Sequence, residues 1–321
     1  MHKVISIRFS IFIMACIFAI PIMAHSQVSD YSFLKNEFNL GRKRLPETQY
    51  FMMESRLMSY ALDGAHTGTT IFRLHFQYLP VEISGKEEDE YICCRFTLQQ
   101  GDSQEVAIPA LENWTYVFFK EGIDENGQVF GIDHDQFENL VDERGRSIPI
   151  DKSYHVYNAF IDFHGLCDVF AEPIVEGSGI QDLNQIGQKI VHSASFTEPP
   201  VHLGSRILEG SYFKNGRITL ELKGLSVVND RSCALIEYDS GESSYQMITK
   251  PMPTLEVVTI GSSHYFGDIY KDLETHWIQK AVLKEFVVSE TSLPIPPGEI
   301  NTVNERYILI RNVDREEFLS N

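Results

Sequence analysis

The turn signals in the second half of the chain constrain its fold more than any other feature. Asn215-Gly216, Asn229-Asp230 and Ser240-Gly241 separate SRILEGSYF, RITLELKGLSVV, RSCALIEYD and SSYQMITK. Asn, Asp and Gly tolerate positive φ, and the segments between them are rich in β-branched and aromatic residues. Turns at roughly 8–12-residue intervals between such segments predict antiparallel strands in a meander. TLEVVTI, SHYFGDIYKD and WIQKAVLKEFVVSE continue the series, and SLPIPPGEI (292–300) leads into a last strand, NERYILIRNV (304–313). Helix is expected there only over DLNQIGQKIV (182–191) and part of 273–286.

The first half mixes two periods. GTTIFRLHFQYLPVEI (68–83) and YICCRFTL (91–98) read as strands, with KEEDE (86–90) as a solvated loop between them. ETQYFMMESRLMSYAL (47–62) repeats apolar residues at helix-like intervals, with a strand as the alternative. Asn126-Gly127 predicts a hairpin turn, and HDQFENLVDERG (134–145) a short helix ending at Gly145. The clearest helix covers 151–173, where Val156, Ala159, Phe160, Phe163, Cys167 and Phe170 form one apolar stripe. Asp151 is its expected N-cap and Pro173 its stop. Pro173, Gly177 and Gly179 in EPIVEGSGI (172–180) mark a boundary. The expected fold is α+β and β-rich, in two domains: an N-terminal α+β domain (27–175) and a C-terminal, mostly antiparallel meander (180–321). The second is an open sheet or half-barrel with few helices.

Residues 1–26 are read as a secretory signal peptide. Lys3 and Arg8 precede the apolar run 9–24, and Ala24 and Ser26 stand at the -3 and -1 positions of a cut before Gln27. That run is shorter than the roughly 20 residues of a spanning helix, and Cys16 lies inside it, which excludes a lipoprotein cut there. The expected product is exported, periplasmic or extracellular, with no stable membrane span. Without Lys3 and Arg8, 25 basic residues of the 27 face 45 acidic ones, a net charge near -20. Such a surface repels phosphate backbones, so nucleic acid is not an expected partner. Of the four remaining cysteines, Cys93 and Cys94 are adjacent and on a strand would point to opposite faces. One disulfide and buried thiols both stay open; the spacing is not that of a zinc site.

In GSSHYFGDIYKD (261–272) a strand puts His264, Phe266, Asp268 and Tyr270 on one face and Ser263, Tyr265, Gly267, Ile269 and Lys271 on the other. Ser263 and His264 then cannot act together as nucleophile and base, and Asp268 lies two same-face steps from His264. Gly267 is expected at a bulge or crossing. Gly241-Glu242-Ser243-Ser244-Tyr245 lacks the closing glycine of a nucleophile elbow and leads into a strand, so it reads as a hairpin turn. Around Gly127 no calcium loop of the EF-hand kind fits, because Gly122 would hold the first position; Asp124, Asn126, Asp133 and Asp135 are expected to solvate a turn and cap a helix, with a cation site of another kind as the alternative. His155, Asp162 and His164 do not converge on either a helix or a strand, yet Asp162 and His164 are the metal or acid–base candidates, since they lie beside the expected boundary. P-loop, Rossmann, CxxC and CxxCH signals are absent, and no cofactor is expected.

These features together imply an exported, non-catalytic binding protein whose partner is a lipophilic small molecule or an envelope protein. An exported meander with an amphipathic helix is loosely similar to half-barrel carriers of lipophilic ligands, which curl a sheet around a helix. On that reading Phe160, Phe163 and Phe170, facing the sheet, are the apolar residues nearest a ligand. The alternative is a secreted hydrolase or metal-dependent enzyme using His264 and Asp268, or Asp162 and His164.

Overall fold

The computed structural model describes residues 36–41, 46–172, 178–199, 201, 207–252, 255–296 and 298–320. The expected signal peptide, Pro173 and Gly177 lie outside them. The first strands are β1 (Gln49–Tyr60), β2 (His66–Ile83), β3 (Lys86–Gln100), the short β4 (Val106–Ala107) and β5 (Trp114–Val117). Helix α1 (Ile150–His164) follows and runs on through a wider π-type turn, Gly165–Val169. Then come β6 (Lys189–Val191), β7 (Tyr212–Lys214), β8 (Thr219–Val228), β9 (Arg231–Asp239) and β10 (Ser243–Met252). The long β11 (Leu255–Asp272), β12 (Ile278–Ser292) and β13 (Glu299–Val313) lead to a terminal helix, α2 (Arg315–Ser320).

All thirteen strands belong to one antiparallel sheet, ordered β4-β3-β2-β1-β13-β12-β11-β9-β8-β6, with β5 beside β3 and β10 beside β11 and β7. The β-rich, mostly antiparallel open sheet with few helices matches the expected class. Two domains are not confirmed: β1 pairs with β13 from Tyr50↔Val313 to Tyr60↔Val303, so the sheet joins both halves of the chain.

Several local expectations give way to the sheet. Residues 47–62 form strand, because Phe51, Met53, Ser55 and Leu57 are buried in strict alternation. KEEDE is not a loop but the start of β3, since positive φ at Ser84 and Gly85 makes the turn tighter than expected. Cys94 is the extra residue of a bulge: Phe76 pairs with Cys93 and His75 with Arg95, leaving Cys93 buried and Cys94 half-buried. Among the described residues no disulfide joins Cys93, Cys94, Cys167 and Cys233. The helix expected over 134–145 shrinks to one 3-10 turn, His134–Phe137, capped by the Asp133 carboxylate as expected and followed by positive φ at Asn139. The helix expected over 182–191 is absent: only Asp182 is helical, as the end of a 3-10 turn (Ile180–Asp182) that leads to β6, and 278–286 belong to β12. α1 begins at Ile150, one residue ahead of the expected cap.

The three turn pairs differ in kind. Asn229 and Asp230 both have positive φ and close a true β8–β9 hairpin, Val228↔Arg231. Ser240-Gly241 does not. β9 and β10 both pair with the same edge of β11, so 231–252 is one long strand with a kink. At the kink Ser240 Oγ accepts from Tyr265 N, and Asp239 Oδ1 accepts from Gly241 N. Likewise β7 pairs with β10 and β8 with β9, so Asn215-Gly216 kinks the neighbouring strand at the same level. The backbones touch there: a Cβ on Gly216 would lie 2.5 Å from the carbonyl oxygens of Ser240 and Glu242. Gly267 sits at another close approach, where a Cβ would meet Val282 O at 1.9 Å. The expected bulge is not there: Gly267 pairs in regular register with Leu283 and Tyr238.

α1 lies on β1–β3 and β5. Phe160 stacks on Phe96 (centroids 5.8 Å, 4°) and meets Phe76, Trp114 and Phe137 edge-on. Phe163 packs against Phe51 and Phe76. Val156 and Ala159 complete the buried stripe, and Phe170 reaches Tyr238 beyond the π-type turn.

Candidate functional site

The far side of α1 faces a cavity of about 940 Å3, whose other wall is the inner face of β10–β13. Tyr154, Asn158, Ile161, Asp162 and Gly165 share this side of the helix, one face at steps of three and four. Val169, Phe170, Phe213, Ile218, Met247 and Leu283 supply apolar walls. The described residues on it include both sides of the kink, since Phe213, Asn215, Ile218 and Tyr245 all line it.

One polar row crosses this wall. Tyr265 on β11 stands opposite Glu285 on β12, and Glu285 stands opposite Arg306 on β13, with Leu57 of β1 next in line. Arg306 Nε donates to Glu285 Oε2 at 2.6 Å, and Arg306 Nη1 donates to Asp162 Oδ2 on the helix. Glu285 Oε1 accepts from Ser263 Oγ at 2.5 Å, and Tyr265 OH donates to Asn215 Oδ1 at 3.1 Å. The side chains of Arg306, Asp162 and Glu285 are only 15%, 14% and 10% exposed. Burial pushes the Asp162 carboxyl up to about 6; Arg306 pulls it down and Glu285 pushes it further up. Burial likewise raises the phenols of Tyr154, Tyr245 and Tyr265. The two neighbouring carboxylates hold Arg306 charged against its burial.

Asp162 and His164 do not come together. Two residues apart on a helix, they point to different neighbourhoods. Asp162 meets the cavity and Arg306, whereas His164 is sealed in the aromatic core. There His164 Nδ1 contacts Asp168 Oδ2 at 2.8 Å, His164 Nε2 contacts Tyr116 OH at 2.5 Å, and Tyr91 OH donates to the same Asp168 carboxylate. Its ring stacks on Phe118. Among the described residues no three His, Cys, Asp or Glu side chains gather as metal ligands would.

Ser263 and His264 occupy opposite faces, as strand alternation requires. Ser263 is buried against Glu285, while His264 is on the outer face with Nε2 3.1 Å from Asp239 Oδ1, so Asp239 and not Asp268 is its carboxylate. Asp124 Oδ1 accepts from Asn126 N and Gln128 N, and this acid holds a turn. Of the three phenylalanines expected nearest a ligand, Phe170 lines the cavity; Phe160 and Phe163 face the aromatic core, because the stripe that packs a helix on a sheet is the side turned from the cavity.

No family model matches the chain, and no curated protein matches it. A solved structure described as "Asymmetric conductivity of engineered proteins" aligns over 83% of this chain and 100% of its own, at 7% identity and a TM-score of 0.20. A likeness of that size carries no argument.

Arg306, Glu285, Tyr154, Tyr245 and Tyr265 were not singled out in the sequence. A signal for two of them existed. Arg306 shares a strand face with Ile308 and Ile310, and Glu285 one with Ala281 and Leu283, so each is a charge at an apolar-face position.

Two buried groups, Asp162 in the cavity wall and His192 outside it, make opposing contributions to acid stability. His192 is buried, with its imidazole at about 4, so it is protonated on unfolding between pH 6.5 and 4 and stability falls as the pH drops through that window. Asp162, raised from 3.8 to about 6, holds its proton longer when folded and adds stability as the pH falls through 6. Urea midpoints of Asp162→Asn, which loses the opposing Asp162 contribution, are expected to fall more steeply from pH 6.5 to 4 than those of the wild type. Parallel curves would contradict the raised Asp162.

Proposed function

We propose that this chain is an exported, non-catalytic binding protein that holds a lipophilic molecule between α1 and the inner face of β10–β13. The observation that carries this reading is the cavity of about 940 Å3. Ligand sites fall in the range of about 300–1,000 Å3, with apolar walls and a few converging polar groups. Here apolar side chains form most of the wall, and the polar groups converge in one row around Arg306. Among the described residues no helix is long and apolar enough to cross a membrane.

A neutral, environment-sensitive naphthyl dye tests the proposal. Its fluorescence is expected to rise saturably to one dye per chain, and Met247→Trp, which fills the cavity, should weaken binding at least tenfold while the circular dichroism stays unchanged. No saturable binding by the wild type, together with equal native and denatured masses of the purified protein, would reject it.

An envelope-protein partner is a second reading, favoured by one observation. Ile260, Phe286 and Val288 are 48%, 44% and 51% exposed on the outer face of β11 and β12, where His264 and Phe266 also lie. Exposed apolar patches of this kind mark interaction sites.

A further inference from the structure

The charges in the cavity wall say what kind of head group suits it. Two carboxylates, Asp162 and Glu285, converge on one guanidinium. Arg306 uses Nε for one and Nη1 for the other, so its charge is already matched by the first carboxylate and exceeded by the second. Glu285 has both oxygens occupied, by Arg306 and by Ser263. Asp162 has Oδ2 on Arg306, and its Oδ1 has no donor among the described residues. The wall therefore presents a surplus of one negative charge and an open acceptor, in surroundings too apolar to screen either. The remaining charged lining residues lean the same way: Glu121 and Glu138 against Lys250.

An anionic head would have to approach an arginine whose charge is already spent on two acids. A hydroxyl could donate to Asp162 Oδ1 but would leave the surplus charge. An ammonium supplies both the donor and the charge. We propose that the occupant is a lipophilic amine, its cationic nitrogen seated on Asp162 beside the Glu285–Arg306 pair and its apolar body along Phe170, Met247 and Leu283. This rests on the cavity being a ligand site, as proposed above.

The site should then be proton-linked. Asp162 is faced by Arg306 from β13, Glu285 from β12, Tyr265 from β11, Tyr238 from β9 and Tyr154 from its own helix. Asp162, raised to about 6, is placed to exchange its proton between pH 7.5 and 5. Protonating it removes both the surplus charge and the acceptor.

The test uses dodecylamine, dodecanol and dodecanoate, equal in tail and different in head, as competitors of the neutral naphthyl dye on the whole protein. At pH 7.5 the amine is expected to displace the dye at least tenfold more tightly than the alcohol, and the carboxylate less tightly than the alcohol. Lowering the pH to 5 should weaken the amine roughly tenfold and leave the alcohol unchanged. Asp162→Asn should bring the amine to the level of the alcohol at both pH values; the wild-type pH series gives the same answer should that variant fold poorly. Equal affinities for the three heads, or a preference for the carboxylate, would overturn the proposal while leaving the cavity a ligand site, with the cluster only bracing α1 on the sheet. A dye that does not bind at all would overturn the cavity reading, and the amine with it.

Discussion

Replacing Arg306 by Met is expected to cost about 3–5 kcal/mol of stability at pH 7.5, the range found when one member of a buried ion pair is removed. The reason is what stays behind. Arg306 is the guanidinium to which both Asp162 and Glu285 bond, and these side chains are only 14% and 10% exposed. Without it two carboxylates face each other in the apolar wall. The loss should shrink at pH 5, because Asp162, already raised to about 6, then takes up a proton and one of the two charges disappears. Adding Asp162→Asn to Arg306→Met should recover part of the loss at pH 7.5, with a coupling of roughly 0.5–3 kcal/mol for groups in one network. Chemical denaturation of the single and double variants at both pH values checks this. A pH-independent loss below about 1 kcal/mol would mean that the cluster is well hydrated and contributes little, as exposed ion pairs do.

Phe160→Ala is expected to cost about 3–5 kcal/mol through the cavity it would leave in the core. Phe160 is completely buried, stacked on Phe96 and edge-on to Phe76, Trp114 and Phe137. It sits on the side of α1 away from the cavity, so the damage should appear in stability and not in head-group preference. Denaturant midpoints together with the amine-to-alcohol affinity ratio separate the two. An unchanged ratio with a large loss of stability is the expected pair of results; a stable variant with an altered ratio would place the ligand on the wrong side of the helix.

The residues of the stripe show how far a local pattern reaches. Val156, Ala159, Phe160 and Phe163 were legible as the packing face of a helix, and they are. Their periodicity reports burial without saying against what, so core and cavity wall look alike in it. The cavity face of the same helix, Tyr154, Asn158, Ile161 and Asp162, carries no apolar period; only Asp162 stands out in the sequence, and there with His164, which it does not meet. β1 misled for a related reason: its consecutive Met52 and Met53 blur a period of two that only the alternating burial of Phe51, Met53, Ser55 and Leu57 makes plain.

By itself the sequence determined the antiparallel, β-rich class and the alternation of faces along each strand. Strand Ser263-His264-Tyr265 shows it: alternation alone separated the serine from the histidine, because successive side chains of a strand must point to opposite sides. Tertiary structure alone decided that Ser240-Gly241 and Asn215-Gly216 are kinks while Asn229-Asp230 is a hairpin. All three are strong turn signals, but a turn residue permits a reversal without requiring one; the edge of β11 that both β9 and β10 join settles the matter. Tertiary structure also assembled the Asp162–Arg306–Glu285 cluster. Asp162 and Arg306 lie 144 positions apart, and Glu285 meets Arg306 only through the register of β12 on β13. Register is fixed by the summed burial of whole strand faces, a property no short stretch of the chain contains.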